Sequence, residues 1–80
     1  ESNAVANILS PYASVLWYLD ERERALGVYE ESLRIRRRTL GPEHPNYAMT
    51  LVNYADSLVT MAQYERAVPM LREILALRGK

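Results

Sequence analysis

The sequence predicts an all-α chain of about four helices, arranged as two consecutive helix-turn-helix units. Three observations carry that expectation. Displaced by 42 residues, the 80-residue chain matches itself. Within each copy, apolar residues recur at steps of three and four. Between the copies, the stretch "LGPEHPNYA", Leu40 to Ala48, sets one Gly, two prolines and the only His of the chain.

The displacement places Leu9 on Leu51, Tyr12 on Tyr54, Ala13 on Ala55 and Leu16 on Leu58; it also places the "ERA" of Glu23 to Ala25 on that of Glu65 to Ala67, and Leu33 on Leu75. Identity holds at 12 of the 38 overlapping positions (1, 6, 9, 12, 13, 16, 23, 24, 25, 31, 33 and 36), where composition alone would give roughly two or three. The chain therefore divides into residues 1–45 and 46–80, each expected to hold one helical hairpin.

The first helix, about residues 3–19, contains Pro11. Either it starts near Asn3 and is kinked there, or it starts at Pro11 with Ser10 as N-cap. Ala6 and Leu9 keep the register of Ala48 and Leu51, which favours the kinked helix. Asp20 followed by Glu23 fits a capping box opening a second helix of about residues 21–40. In the linker, 41–45, Gly41 can take the positive φ that ends a helix, while Pro42 and Pro45 cannot continue one. His44 has no second His and no Cys to join it, and reads as part of this turn.

The third helix, about 46–61, begins at Pro45 or Asn46 and carries Ala48, Leu51, Ala55, Leu58 and Ala62 on one face. The fourth, about 64–78, carries Tyr64, Ala67, Leu71, Ile74 and Leu75 at the same spacing. Pro69 falls near its start, where a missing N–H costs little. Ala13, Ala25, Ala55 and Ala67 have so little side chain that neighbouring helices can approach closely.

Composition excludes several functions. Apolar residues make up 49% and charged residues 25%, an ordinary globular balance; ten basic residues offset ten acidic ones. No global field exists to hold nucleic acid or a membrane surface. There is no cysteine, hence no disulfide framework and no thiolate metal site, and no apolar run long enough to span a bilayer. These features point to a soluble cytoplasmic chain. No cofactor is implied, and no nucleophile, base and orienting group fall at a recognisable spacing, so an enzyme is not expected. The run "RIRRR", Arg34 to Arg38, invites a nucleic-acid reading. Glu30 and Glu31 lie one turn earlier, placed for ion pairs with Arg34, and basic residues suit a helix C-terminus, so a solvated helix face is the better reading.

Leu9, Tyr12, Ala13, Leu16, Ala25, Tyr29 and Leu33, with the second set Leu51, Tyr54, Ala55, Leu58, Tyr64, Ala67, Leu71 and Leu75, form a pattern that resembles the tetratricopeptide repeat (TPR). The interval of 42 and the linker "LGPEHP", followed by Ala48 and "LVNYA", are similar to the long repeats of kinesin light chains and nephrocystin-like proteins. HEAT and armadillo repeats share the period without this set of Ala and Tyr positions. The resemblance implies an α-α superhelix, here a solenoid fragment of two repeats. The chain departs from the pattern where Pro11 replaces a frequent Asn, Arg22 a usual Tyr, and Asp20 and Ala62 the Gly between helices.

The resemblance also implies a protein or peptide partner, held in a concave groove lined by the first helix of each repeat. The positions opposite the packing faces are Asn7, Ser10, Ser14 and Tyr18, with Trp17 at the border and leaning into the core, and Met49, Val52, Asn53, Asp56 and Thr60. Asn53 is the leading candidate, since its amide both donates and accepts. None of these positions is basic, which argues against gripping a carboxylate. Finally, Val68, Met70, Leu71, Ile74 and Leu77 form an apolar face that no later helix covers. It is expected either to meet neighbouring repeats of a longer chain or to join copies as a homo-oligomer, the alternative function being structural self-assembly.

Overall fold

The computed structural model describes residues 3–78, without the side chains of Asn3 and Arg78; the outer ends of both sequence units lie outside the described residues. It contains α1 (Asn3–Tyr18), α2 (Arg22–Thr39), α3 (Pro45–Thr60) and α4 (Tyr64–Arg78), and no strand among the described residues. In space α1 packs on α2, α2 on α3, and α3 on α4. The Cα trace fills a slab of 36 × 29 × 13 Å, so the core is a seam between helix faces.

That seam follows the apolar period. Leu26, Tyr29 and Leu33 of α2 meet Tyr47, Leu51, Tyr54 and Leu58 of α3, with Ala13 and Ala67 closing its two sides. The Tyr29 and Tyr54 rings stand 6.4 Å apart at a tilt of 44°, within the range where aromatic pairs attract. Ala6, Ala13 and Ala25 are wholly buried, as close helix approach requires. Full burial of a residue such as Leu58 contributes about 1.5–3 kcal/mol.

Chain reversals follow three local solutions. Helix α1 runs unbroken through Pro11, so the Ser10 N-cap alternative is not realised. The capping box at Asp20 does not form either. Asp20 takes φ +66° and closes α1: its N–H donates to the Trp17 carbonyl (3.1 Å) and that of Glu21 to Leu16 (2.9 Å), the paired bonds of a Schellman motif. Glu21 then occupies the N-cap of α2 without a side-chain cap bond, its carboxylate paired with Arg24. The same motif ends α3. Ala62 takes φ +60°, with Ala62 N–H on Val59 (3.0 Å) and Gln63 N–H on Leu58 (2.8 Å).

The linker behaves as its residues dictate. Gly41 adopts φ +92°. His44 is the N-cap of α3, its Nδ1 accepting from Asn46 N–H at 3.1 Å, and Pro45 takes the first helical position. Pro69 departs from expectation. As the sixth residue of α4 it lies beyond the four amides that lack helical partners, so it forfeits one bond. Tyr64, Leu71 and Leu75, placed by spacing on the packing face of α4, are exposed, as is Tyr12, the repeat counterpart of the buried Tyr54.

Two triangles of polar side chains clamp α3 between its neighbours. In one, Glu30 of α2 accepts from the Tyr54 hydroxyl and from Arg66 of α4 (2.9 Å). In the other, charge is exchanged: Arg37 of α2 donates to Tyr47 (2.9 Å) and to Glu73 of α4 (3.0 Å), and Tyr47 donates to Glu73 (2.7 Å). Glu30 is therefore committed across the fold, and Arg34 pairs with Glu31. The arginine run is not uniformly solvated. Arg36 is only 6% exposed, bonded to Asn7 Oδ1 at 3.0 Å. Arg37, Arg66 and Glu30 remain about half exposed and Glu73 about a quarter, and screening holds each such pair to about 1 kcal/mol or less.

Candidate peptide-binding groove

Helices α1 and α3 lie on opposite sides of α2 and turn polar residues toward a common face. Two adjoining depressions occupy it. The larger, about 250 Å³, is lined by Ser14, Trp17 and Tyr18 of α1, Tyr29 of α2, and Asn53, Asp56, Ser57 and Thr60 of α3. The second, about 230 Å³, is lined by Asn7, Ser10, Arg36, Asn46, Met49, Thr50 and Asn53. Asn53 borders both.

Nine of the ten positions selected from the sequence thus line one depression or the other. Val52 does not; it faces the opposite slope of α3, toward α4. Tyr29, Arg36, Asn46, Thr50 and Ser57 line the face without having been selected. Tyr29 and Arg36 belong to α2, which spacing assigns to the outer wall, and Asn46 stands in the first turn of α3, where it reads as helix start.

Several groups here are already committed. Ser14, Thr50 and Ser57 each donate a hydroxyl to the carbonyl four residues earlier, at 3.3, 3.0 and 2.9 Å, so their oxygens present mainly lone pairs. Arg36 holds the Asn7 oxygen, which leaves the amide nitrogen as that side chain's donor. The Arg22 guanidinium lies 4.7 Å above the centre of the Trp17 ring, fixing one face of a half-buried indole. Tyr18 projects into solvent at the end of α1. The groove does contain a cation, Arg36, which the sequence reading missed. Its near-complete burial makes it a support for Asn7 more than a charge on the surface.

Burial raises the Tyr47 and Tyr54 hydroxyls above their ordinary value near 10. The bonds to Glu73 and Glu30 add to that rise, and Arg37 and Arg66 oppose it. Neither tyrosine hydroxyl is in the groove. Among the described residues no group of three or more His, Asp or Glu side chains could hold a metal ion, and no helix is long and apolar enough to cross a membrane.

The face of α4 selected as a possible contact surface is divided. Val68 and Leu71 are exposed, whereas Met70, Ile74 and Leu77 are partly buried against the core. Ile74 and Leu77 form the floor of an apolar cleft of about 460 Å³ between α3 and α4, bordered by Pro45, Ala48, Met49 and Val52.

Successive antiparallel helix pairs, closed by left-handed turns and presenting a shared face, define a helical-repeat interaction module. A tetratricopeptide repeat family model matches residues 4–80, and the chain belongs to that family. Tetratricopeptide repeats are in general non-enzymatic modules that bind other proteins. No curated protein matches the chain.

Proposed function

We propose that this chain is a protein-interaction scaffold, with residues 1–45 and 46–80 as its two repeats, and that the face shared by α1 and α3 takes up a peptide or a partner helix. The observation that carries this reading is the position of Asn53 at the junction of the two depressions. There it has Asn7 and Asn46 to one side, Asp56 and Trp17 to the other. An amide at such a point bonds a peptide N–H and a peptide carbonyl at once, which fixes a backbone irrespective of side chains.

Apolar contacts supply the rest. Trp17 and Met49 offer surface to two side chains of the ligand, and Asp56 favours a basic or neutral residue beside it. A moderately apolar segment fits this chemistry better than an acidic one. The interval of 42 residues and the "LGPEHP" linker support placing the module with the long repeats of the kinesin light chain type.

The test is a displayed peptide library selected on the whole chain, followed by binding of an enriched peptide to N53A/D56A. Both residues are exposed, so the double variant is expected to keep its Tm and to lose binding at least tenfold. Full binding by the double variant, or binding and Tm lost together, contradicts the groove assignment.

A further inference from the structure

The two depressions of the groove differ in the hydrogen bonds they offer. At the Trp17 end, Asp56 accepts, and Ser14 and Ser57 spend their hydroxyl protons on the carbonyls of Ser10 and Asn53. That end presents oxygen lone pairs. Among the described residues no carboxylate lines the other depression, which has the buried Arg36 beside Asn7.

Arg36 decides what Asn7 shows to a ligand. A side-chain amide can be turned either way about its last bond, exchanging its oxygen and its NH2. A guanidinium only donates, and that of Arg36, 6% exposed, lies 3.0 Å from Asn7 Oδ1. The reversed amide would set N–H against N–H where water hardly reaches, so the oxygen stays on Arg36. Asn7 is itself exposed, and the other arm of its amide, Nδ2, is left to the groove as a donor. The second repeat does not duplicate it, since Met49 stands forty-two residues on.

We propose that Arg36 is a positioning residue for the ligand: by holding the Asn7 oxygen it fixes Asn7 as a donor, and the bound segment meets that donor with a main-chain carbonyl. The inference rests on the groove assignment above and names the group recognised at one end of it. A carbonyl suits the site better than a ligand carboxylate, because the group exposed there is a neutral amide and the cation behind it is buried.

An enriched peptide that N53A/D56A weakens is the probe, its affinity read by fluorescence anisotropy. N7D keeps an oxygen for Arg36 and makes that bond charge-assisted, but turns the groove-facing NH2 into a second oxygen. It is expected to hold or raise the wild-type Tm and to lose binding about tenfold or more. Replacing the peptide's carbonyls one at a time by thioamides, which accept hydrogen bonds more weakly, should reveal one position that costs wild type affinity. The same replacement should cost N7D nothing further, and R36M, in which Asn7 is free to turn, less than wild type. An N7D protein that binds as wild type does, while N53A/D56A weakens the same peptide, overturns the inference and leaves the groove standing. So does a scan in which no carbonyl depends on Asn7, or one in which R36M keeps its helices and pays the full wild-type cost. A peptide indifferent to N53A/D56A overturns the groove assignment and this inference with it.

Discussion

Ala62 holds the left-handed conformation at φ +60° without being glycine, and replacing it with glycine should stabilise the fold. The left-handed region costs an L residue about 1–2 kcal/mol, because Cβ crowds the following carbonyl. Glycine removes that cost but enlarges the unfolded ensemble by about 0.4–1 kcal/mol. Ala62 is exposed, so its methyl contributes little packing. The net gain for A62G is about 0.5–1 kcal/mol. In a chain of this length that is a rise in Tm of about 3–6 °C. Asp20, at φ +66°, is an internal control: a short polar side chain tolerates the region better, so D20G should gain less. Thermal melts followed at 222 nm, with urea titrations for ΔG, measure both. A lower Tm for A62G, or a larger gain at Asp20 than at Ala62, refutes the argument.

Two further expectations concern the helix interior and the clamps. Pro11 is exposed within α1 and costs it about 3 kcal/mol; allowing for the freer unfolded chain, P11A should add about 2 kcal/mol in urea unfolding, and no gain would contradict a continuous α1. The raised Tyr47 and Tyr54 hydroxyls favour the protonated form in the folded state. The unfolded chain therefore ionises first, and the stability these phenols supply is complete below pH 10 and declines as pH climbs through their raised values. Y47F/Y54F should lose less stability than wild type between about pH 9 and about pH 11; parallel losses would contradict the assignment.

Local chemistry was legible in the sequence wherever one residue type answers one need. Gly41 and Pro45 mark the linker, His44 has no other role to play, and the alanines identify where helices approach. The turn at Asp20 was misread because Asp suits both an N-cap and a left-handed helix end. Only the bonds from Glu21 and Asp20 back into α1 distinguish the two. Long-range pairings left no local trace. Glu30 lies 24 residues from Tyr54 and 36 from Arg66, so the nearer Arg34 looked like its natural partner.

The candidate groove was read by the same logic and erred at its edges. A helix has no sharp boundary between faces, and Val52 falls on the α4 slope while Asn53 beside it falls in the groove. Arg36 and Tyr29 escaped selection because they reach the groove from α2, the helix that spacing assigns to the outer wall. The burial of Arg36 depends on α1 lying over it and on the Asn7 amide, neither of which helix periodicity encodes.

The account rests on the two hairpins nesting through α2 and α3, and the most direct measurement of that contact is a proton NOESY spectrum of the chain with assigned tyrosine rings. Cross-peaks between the rings of Tyr29 and Tyr54, whose centres lie 6.4 Å apart, are the predicted result. Their absence, with Tyr29 showing neighbours from its own hairpin alone, would contradict it.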